Sequence, residues 1–230
     1  MKKLLISVWL ILFCQQAFCV PKKIVVIRHA DKAVQTNRSQ ALSAQGLVRS
    51  IKFAYYFLNN FGEPDFFFAK SPNDEKGGEV SIRELQTIAP LANITAQFHP
   101  EEPFNSHPIN RKFTGAEYQK LANHILTHEK FNNKIIVICW NHKNLPDLAV
   151  ALGATSKPAD WSDDNFDSVY VFEYGRRGKL YSFTILDNQY PVEKITWEKL
   201  HSYLQMSQRD GLQFNMIWSA ISGSKWGAIF

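Results

Sequence analysis

Three short apolar runs punctuate this 230-residue chain: Ile24-Val25-Val26-Ile27, the aromatic triplet inside "DFFFA" (65–69), and "IIVIC" inside "KIIVICW" (134–140). Runs of four or five β-branched or aromatic residues between polar neighbours read as strands buried on both faces. The intervals carry helical patterns. One starts near Ser43 and runs through "GLVRSIKFAYYFLNNF" to Gly62 and Pro64. Another is opened by Ser81, with Glu84 in capping-box position and Leu85, Ile88 and Leu91 on one face. "GAEYQKLANHILTH" and "PDLAVALG", the latter opened by Pro146 and closed by Gly153, supply two more, while residues 93–112 read as irregular. Two alternating segments, "SVYVFEY" and "KLYSFTIL", joined by Gly-Arg-Arg-Gly, read as a hairpin late in the order. Strand–helix alternation of this kind predicts an α/β fold, a three-layer αβα sandwich around a mostly parallel central sheet.

The amino terminus is of another kind. Met1-Lys2-Lys3 is a short basic start, "LLISVWLILF" is an apolar core, and Ala17-Phe18-Cys19 puts small residues at the two positions a signal peptidase inspects. Residues 1–19 therefore read as a signal peptide, 20–195 as the domain, and 196–230 as a carboxyl-terminal extension packed on it. Both Cys14 and Cys19 follow a phenylalanine, which argues against a lipoprotein. Loss of the leader leaves Cys139 alone, so export finds no support in cysteine usage. It also removes two lysines and no acid, which lowers the formal charge from +5 to +3. The basic residues are scattered, and nucleic-acid binding is not expected. Nor is a stable membrane association once the leader is gone.

In open parallel sheets, ligands bind outside the carboxyl ends of the strands. Arg28 and His29 follow the first apolar run, Asn141 and His142 follow the third, and Arg83 lies in the first turn of a helix. Two arginines and two histidines can thus meet at one rim. Arginine offers forked donors that match phosphoryl oxygens. A neutral imidazole can attack phosphorus in line, and a second, protonated, can neutralise charge on the equatorial oxygens. No cluster has the spacing of a metal site, so no cofactor is expected.

Four segments, in order, carry a resemblance. "VIRHADK" resembles the Arg-His-Gly/Ala signature of the histidine phosphatase superfamily, which includes phosphoglycerate mutases and acid phosphatases. "LSAQGLVRS", "SIRELQTIAPLA" and "VICWNHKNLPDLAVALG" are similar to its Leu-Ser-x-x-Gly-x-x-Arg, second-arginine and second-histidine segments. The resemblance implies a phosphoglycerate mutase-like fold, His29 as nucleophile, and Arg28, Arg83 and His142 around the phosphate. Arg28, Arg83 and Asn141 become candidates for substrate contact. Ser43 and Gly46 would position the first helix, with Arg49 facing a carboxylate or solvent.

The chain departs from the pattern at the general acid. Lys143 follows His142 where acid phosphatases carry an aspartate, and Trp140-Asn141-His142 stands where one branch has Trp-Glu-His. Candidates are Glu101 and Glu102, adjacent charges in a proline-rich loop, and Asp31, otherwise a partner for Lys32 or a loop amide. His124 and His128 are four apart on a helix, a spacing read as a solvent-facing pair rather than metal ligands. The expectation is an exported, metal-independent phosphatase for a small phosphorylated substrate, working through phospho-His29 and slow on esters with poor leaving groups. The alternative is a phosphate-binding member of the same fold that has lost turnover.

Overall fold

The computed structural model describes residues 20–33, 39–74, 80–101, 108–175, 178–192 and residue 205. The expected leader, Glu102, and the expected extension apart from residue 205 lie outside them. The strands are β1 (Lys23–Arg28), β2 (Ser39–Gln40), β3 (Phe66–Ala69), β4 (Val80–Ser81), β5 (Ile109–Asn110), β6 (Ile135–Trp140), β7 (Val169–Tyr174) and β8 (Leu180–Leu186). The helices are α1 (Ala44–Phe61), α2 (Arg83–Gln97), α3 (Tyr118–Thr127) and α4 (Leu145–Ala151). Among the described residues no helix is long and apolar enough to cross a membrane.

Six strands form one sheet in the order β5-β3-β6-β1-β7-β8. The pairs β5–β3, β3–β6 and β6–β1 are parallel, whereas β7 runs against both of its neighbours. The expected sandwich with a mostly parallel sheet and a late hairpin is the observed architecture. β1 shows why its run is apolar throughout. Val25 and Ile27 join one core with α1 and α2, while Ile24 and Val26 join a second core with α3 and α4. Both layers exclude water from the same strand, so an alternating pattern would fail there.

Ser43 caps α1, accepting from the Gly46 N–H at 3.1 Å, and Gly62 ends the helix with φ of 79°. Two expectations need correction. Ser81 does not cap α2: its hydroxyl donates to the Glu84 carboxylate at 3.1 Å, and Ile82 stands at the cap without a side-chain bond. Residues 93–97 are helical, because Ile94 and Thr95 continue the buried face of Leu91 past Pro90. The two-residue strands β2, β4 and β5 were not anticipated.

Candidate active site

The register of the sheet brings the strand tips together. Arg28 pairs with Trp140, and the His29 N–H donates to the Trp140 carbonyl at 3.3 Å. Neighbouring strands lie about 4.8 Å apart, so the two residues leaving β1 and the two leaving β6 emerge side by side.

His29 is buried, and its Nδ1 lies 2.8 Å from the Ala30 carbonyl oxygen. A carbonyl only accepts, so Nδ1 carries the proton and Nε2 keeps its lone pair. Burial, followed by the charge of Arg83, holds the ring neutral and lowers its pKa to about 2. Behind it, the Ala30 N–H donates to Thr87 Oγ1 at 2.9 Å, and that hydroxyl donates to the Arg83 carbonyl at 2.7 Å. The exit of β1 is thereby tied to the first turn of α2.

Arg28 is 1% exposed. Its Nη1 donates to the carbonyls of Ser162, Asp163 and Asn165 at 2.8, 2.7 and 3.1 Å, and its guanidinium lies 4.2 Å from the centre of the Phe166 ring. Nη2 is 3.7 Å from Asp163 Oδ1. Nε and Nη2 are buried without a hydrogen-bond partner among the described residues. Burial lowers the arginine's pKa to about 10, leaving it charged at neutral pH.

His142 meets the same carboxylate, with Nε2 2.9 Å from Asp163 Oδ1. Burial, then the charge of Arg28, lowers its pKa to about 4. This histidine is therefore neutral at neutral pH, in contrast to the protonated imidazole that the sequence leads one to expect. Arg83 is half-buried, with Nε donating to Ser81 Oγ at 3.2 Å and Nη2 to Gln40 Oε1. The small β2–β4 ribbon thus presents its guanidinium to the rim. Beneath it, Glu84 is buried, its carboxyl pushed up by desolvation and opposed by the charge of Lys70. Arg83 acts electrostatically on both Arg28 and His29, and Lys32 on His29 and His142. Two charged arginines, Arg28 and Arg83, thus act on the neutral imidazole of His29, and Arg28 acts on that of His142 as well. Asn141, half-buried beside His142, has its Oδ1 atom without a hydrogen-bond partner among the described residues.

The acid candidates fare differently. Asp31 is engaged by Arg49 through Nε–Oδ2 at 2.5 Å and Nη2–Oδ1 at 3.2 Å. Its partner is Arg49, not Lys32, and the arginine does face a carboxylate. Glu101 lies at the wrong end of the molecule. It approaches His99, which pairs at 2.6 Å with Glu63, next to the Gly62 that ends α1. Helix α2 starts at the pocket and runs 15 residues, about 22 Å, away from it. His124 and His128 pack on each other with ring centres 4.3 Å apart, and His124 also meets Phe68, Phe113 and Phe131. Among the described residues no three His, Cys, Asp or Glu side chains are grouped to hold a metal ion.

The sequence reading missed Asp163, Phe166, Thr87 and Lys32. The available signal for the first two was the density of acid around them, with four aspartates in the eight residues 160–167.

No protein-family model matches the chain, and no curated protein matches it. Among solved structures it is similar to the protein histidine phosphatase SixA complexed with tungstate. The identity is 11%, over 72% of this chain and 96% of that one, with a TM-score of 0.39. It is similar to phosphoserine phosphatase from Entamoeba histolytica in complex with 3-phosphoglyceric acid, at 15% identity, 74% and 99% coverage and a TM-score of 0.44. A mycobacterial glucosyl-3-phosphoglycerate phosphatase with inorganic phosphate gives 12%, 72%, 95% and 0.39. At such low identity these likenesses assign no activity to this chain.

Proposed function

We propose that the chain is an exported phosphomonoesterase that works without a metal, through a phosphohistidine on His29. One observation carries the reading: a buried imidazole whose Nδ1 proton is committed to a carbonyl and whose Nε2 lone pair is held unprotonated beside two arginines. Nucleophilic substitution at phosphorus needs such a lone pair and needs cations to gather charge on the equatorial oxygens. Arg28, Arg83 and, once a phosphate dianion draws a proton onto it, His142 supply them. Asn141 stands at the rim as a substrate contact. Export rests on the basic, apolar and small-residue pattern of residues 1–19.

The test is steady-state phosphate release from p-nitrophenyl phosphate with EDTA present, followed by rapid quenching. The expected result is turnover and an acid-labile, base-stable phosphoryl group on the peptide containing His29. His29→Ala should abolish turnover and keep phosphate binding, because both arginines remain. Label on His142, or wild-type turnover by His29→Ala, would sink the assignment. A second reading, a phosphate-binding protein without turnover, is favoured by Asn141 and Lys143, which stand on either side of His142 where relatives of the resembled superfamily carry an acid. Vanadate binding with no hydrolysis would select it.

A further inference from the structure

We propose that Asp163 is a catalytic acid–base of this site: it occupies the phosphate seat in the free protein and, displaced by substrate, protonates the departing oxygen. The proposal rests on the phosphomonoesterase reading above.

Asp163 Oδ1 is held by His142 Nε2 at 2.9 Å and faces Arg28 Nη2 at 3.7 Å. An anionic oxygen between an imidazole N–H and a guanidinium sits where a phosphoryl oxygen would be bound by the same donors. The fit is incomplete. Arg28 Nε and Nη2 are buried and lack a hydrogen-bond partner among the described residues. One carboxylate leaves those donors unused, whereas a phosphoryl group brings three oxygens to them. Unsatisfied buried donors are costly, so a phosphate gains by replacing the carboxylate.

The carboxylate does not leave with its seat. Its side chain is 76% exposed, on the solvent side of Arg28 and His142, with Lys32 also acting on it. The base of its loop is fastened by Trp161 Nε1 donating to the Asn165 carbonyl at 2.8 Å and Asn165 Nδ2 donating to Ser168 at 2.6 Å. Displaced outward, it stands at the mouth, where the ester oxygen departs. There it is open to solvent, which supplies the proton that it passes on.

The first step then balances. The His29 Nε2 lone pair forms the N–P bond, the P–O bond breaks with its electrons going to oxygen, and the Asp163 proton moves to that oxygen as the alcohol leaves. In the second step the Asp163 carboxylate takes a proton from water while the water oxygen bonds phosphorus. The N–P bond breaks with its electrons returning to Nε2, and phosphate departs with the acid regenerated. Asp31 and Glu101 cannot serve, one clamped by Arg49 and the other beyond the far end of α2.

The experiment compares Asp163→Asn and Asp163→Ala with the full wild-type chain on p-nitrophenyl phosphate and on glycerol 2-phosphate. General acid catalysis is worth about 10²–10⁴-fold, and both variants should lose that much in the single-turnover rate of His29 phosphorylation on the alkyl ester alone. On the aryl ester, whose leaving group needs no proton, the burst of p-nitrophenol should keep its rate while the hydrolysis that follows slows, and inorganic phosphate should inhibit both variants more tightly. Equal losses in phosphorylation rate on the two esters, or none on the alkyl ester, overturn the proposal while leaving the phosphohistidine route standing. A wild-type chain inactive on both esters and unlabelled at His29 overturns the two together.

Discussion

The neutral state of His29 has a thermodynamic side. Its folded pKa, about 2, and that of His142, about 4, lie below the ordinary 6.5. Below pH 6.5 the unfolded chain binds protons that the folded chain refuses, so stability rises with pH across that interval. Above about pH 7 neither residue weighs against the fold, and the penalty grows as pH falls from 6.5, to about pH 4 for His142 and on toward about 2 for His29. Urea midpoints at pH 7.5, 6 and 5 check this: the wild type should weaken on acidification more than His29→Asn does. Equal slopes would show that the ring is not held neutral. Arg49→Ala should act differently, because it strands the Asp31 carboxylate in a site 14% exposed. Breaking a buried pair costs roughly 3–5 kcal/mol, read as a Tm drop on the order of ten degrees. From the sequence, Arg49 is expected to face a carboxylate or solvent, and the structure gives it the carboxylate of Asp31. The sequence could not show which carboxylate, because Asp31 is adjacent to Lys32 in the chain and only the capped start of α1 turns it the other way.

Helix α1 meets the β1 exit through very little material. The Ser43 N–H donates to the Asp31 carbonyl at 2.9 Å, and a Cβ added to Gly46 would collide with that carbonyl oxygen. Alanine is the better helix former by about 1 kcal/mol, yet Gly46→Ala should be net destabilising by roughly 1–3 kcal/mol, since backbone must move to admit it. It should also lower kcat, because Asp31 lies two residues from His29. An unchanged urea midpoint and unchanged turnover would mean that the contact yields freely. The long elements were legible because each buries one or two apolar faces that the sequence spells out. β2, β4 and β5 were not, since two residues carry no period. Ser81 was misread as a cap because its spacing to Glu84 suits a capping box, while the burial that turns its hydroxyl to that carboxylate comes from the rest of the fold.

The sheet order decides which ends of the chain face the pocket. The register of β7 against β1 sets Val169 beside Ile27, near the pocket, and Glu173 beside Lys23 at the far side. The hairpin link after Tyr174 is therefore remote from the chemistry. Ten glycine- and serine-rich residues inserted between Gly175 and Gly178 should leave kcat/KM within about twofold, because lengthening so short a loop costs only about 1–2 kcal/mol of stability and leaves the pocket end of the strands in place. The same insertion between Asp163 and Asp167 should abolish it. Equal effects at the two places would mean that the strand direction does not govern the site.

Because β7 is reversed, the connection that feeds it passes over the tips of the parallel strands before descending. His29 and its neighbour Arg28 stand at a strand end that both cores hold in register, where almost any change costs the fold. Asp163 and Phe166 stand on a crossing segment whose length neither core dictates. Heritable variation can therefore accumulate on the two parts at different rates. Insertions and replacements in the stretch 155–160, which is largely exposed, can reshape the approach to the mouth, generation after generation, while His29 stays under the discipline of the sheet.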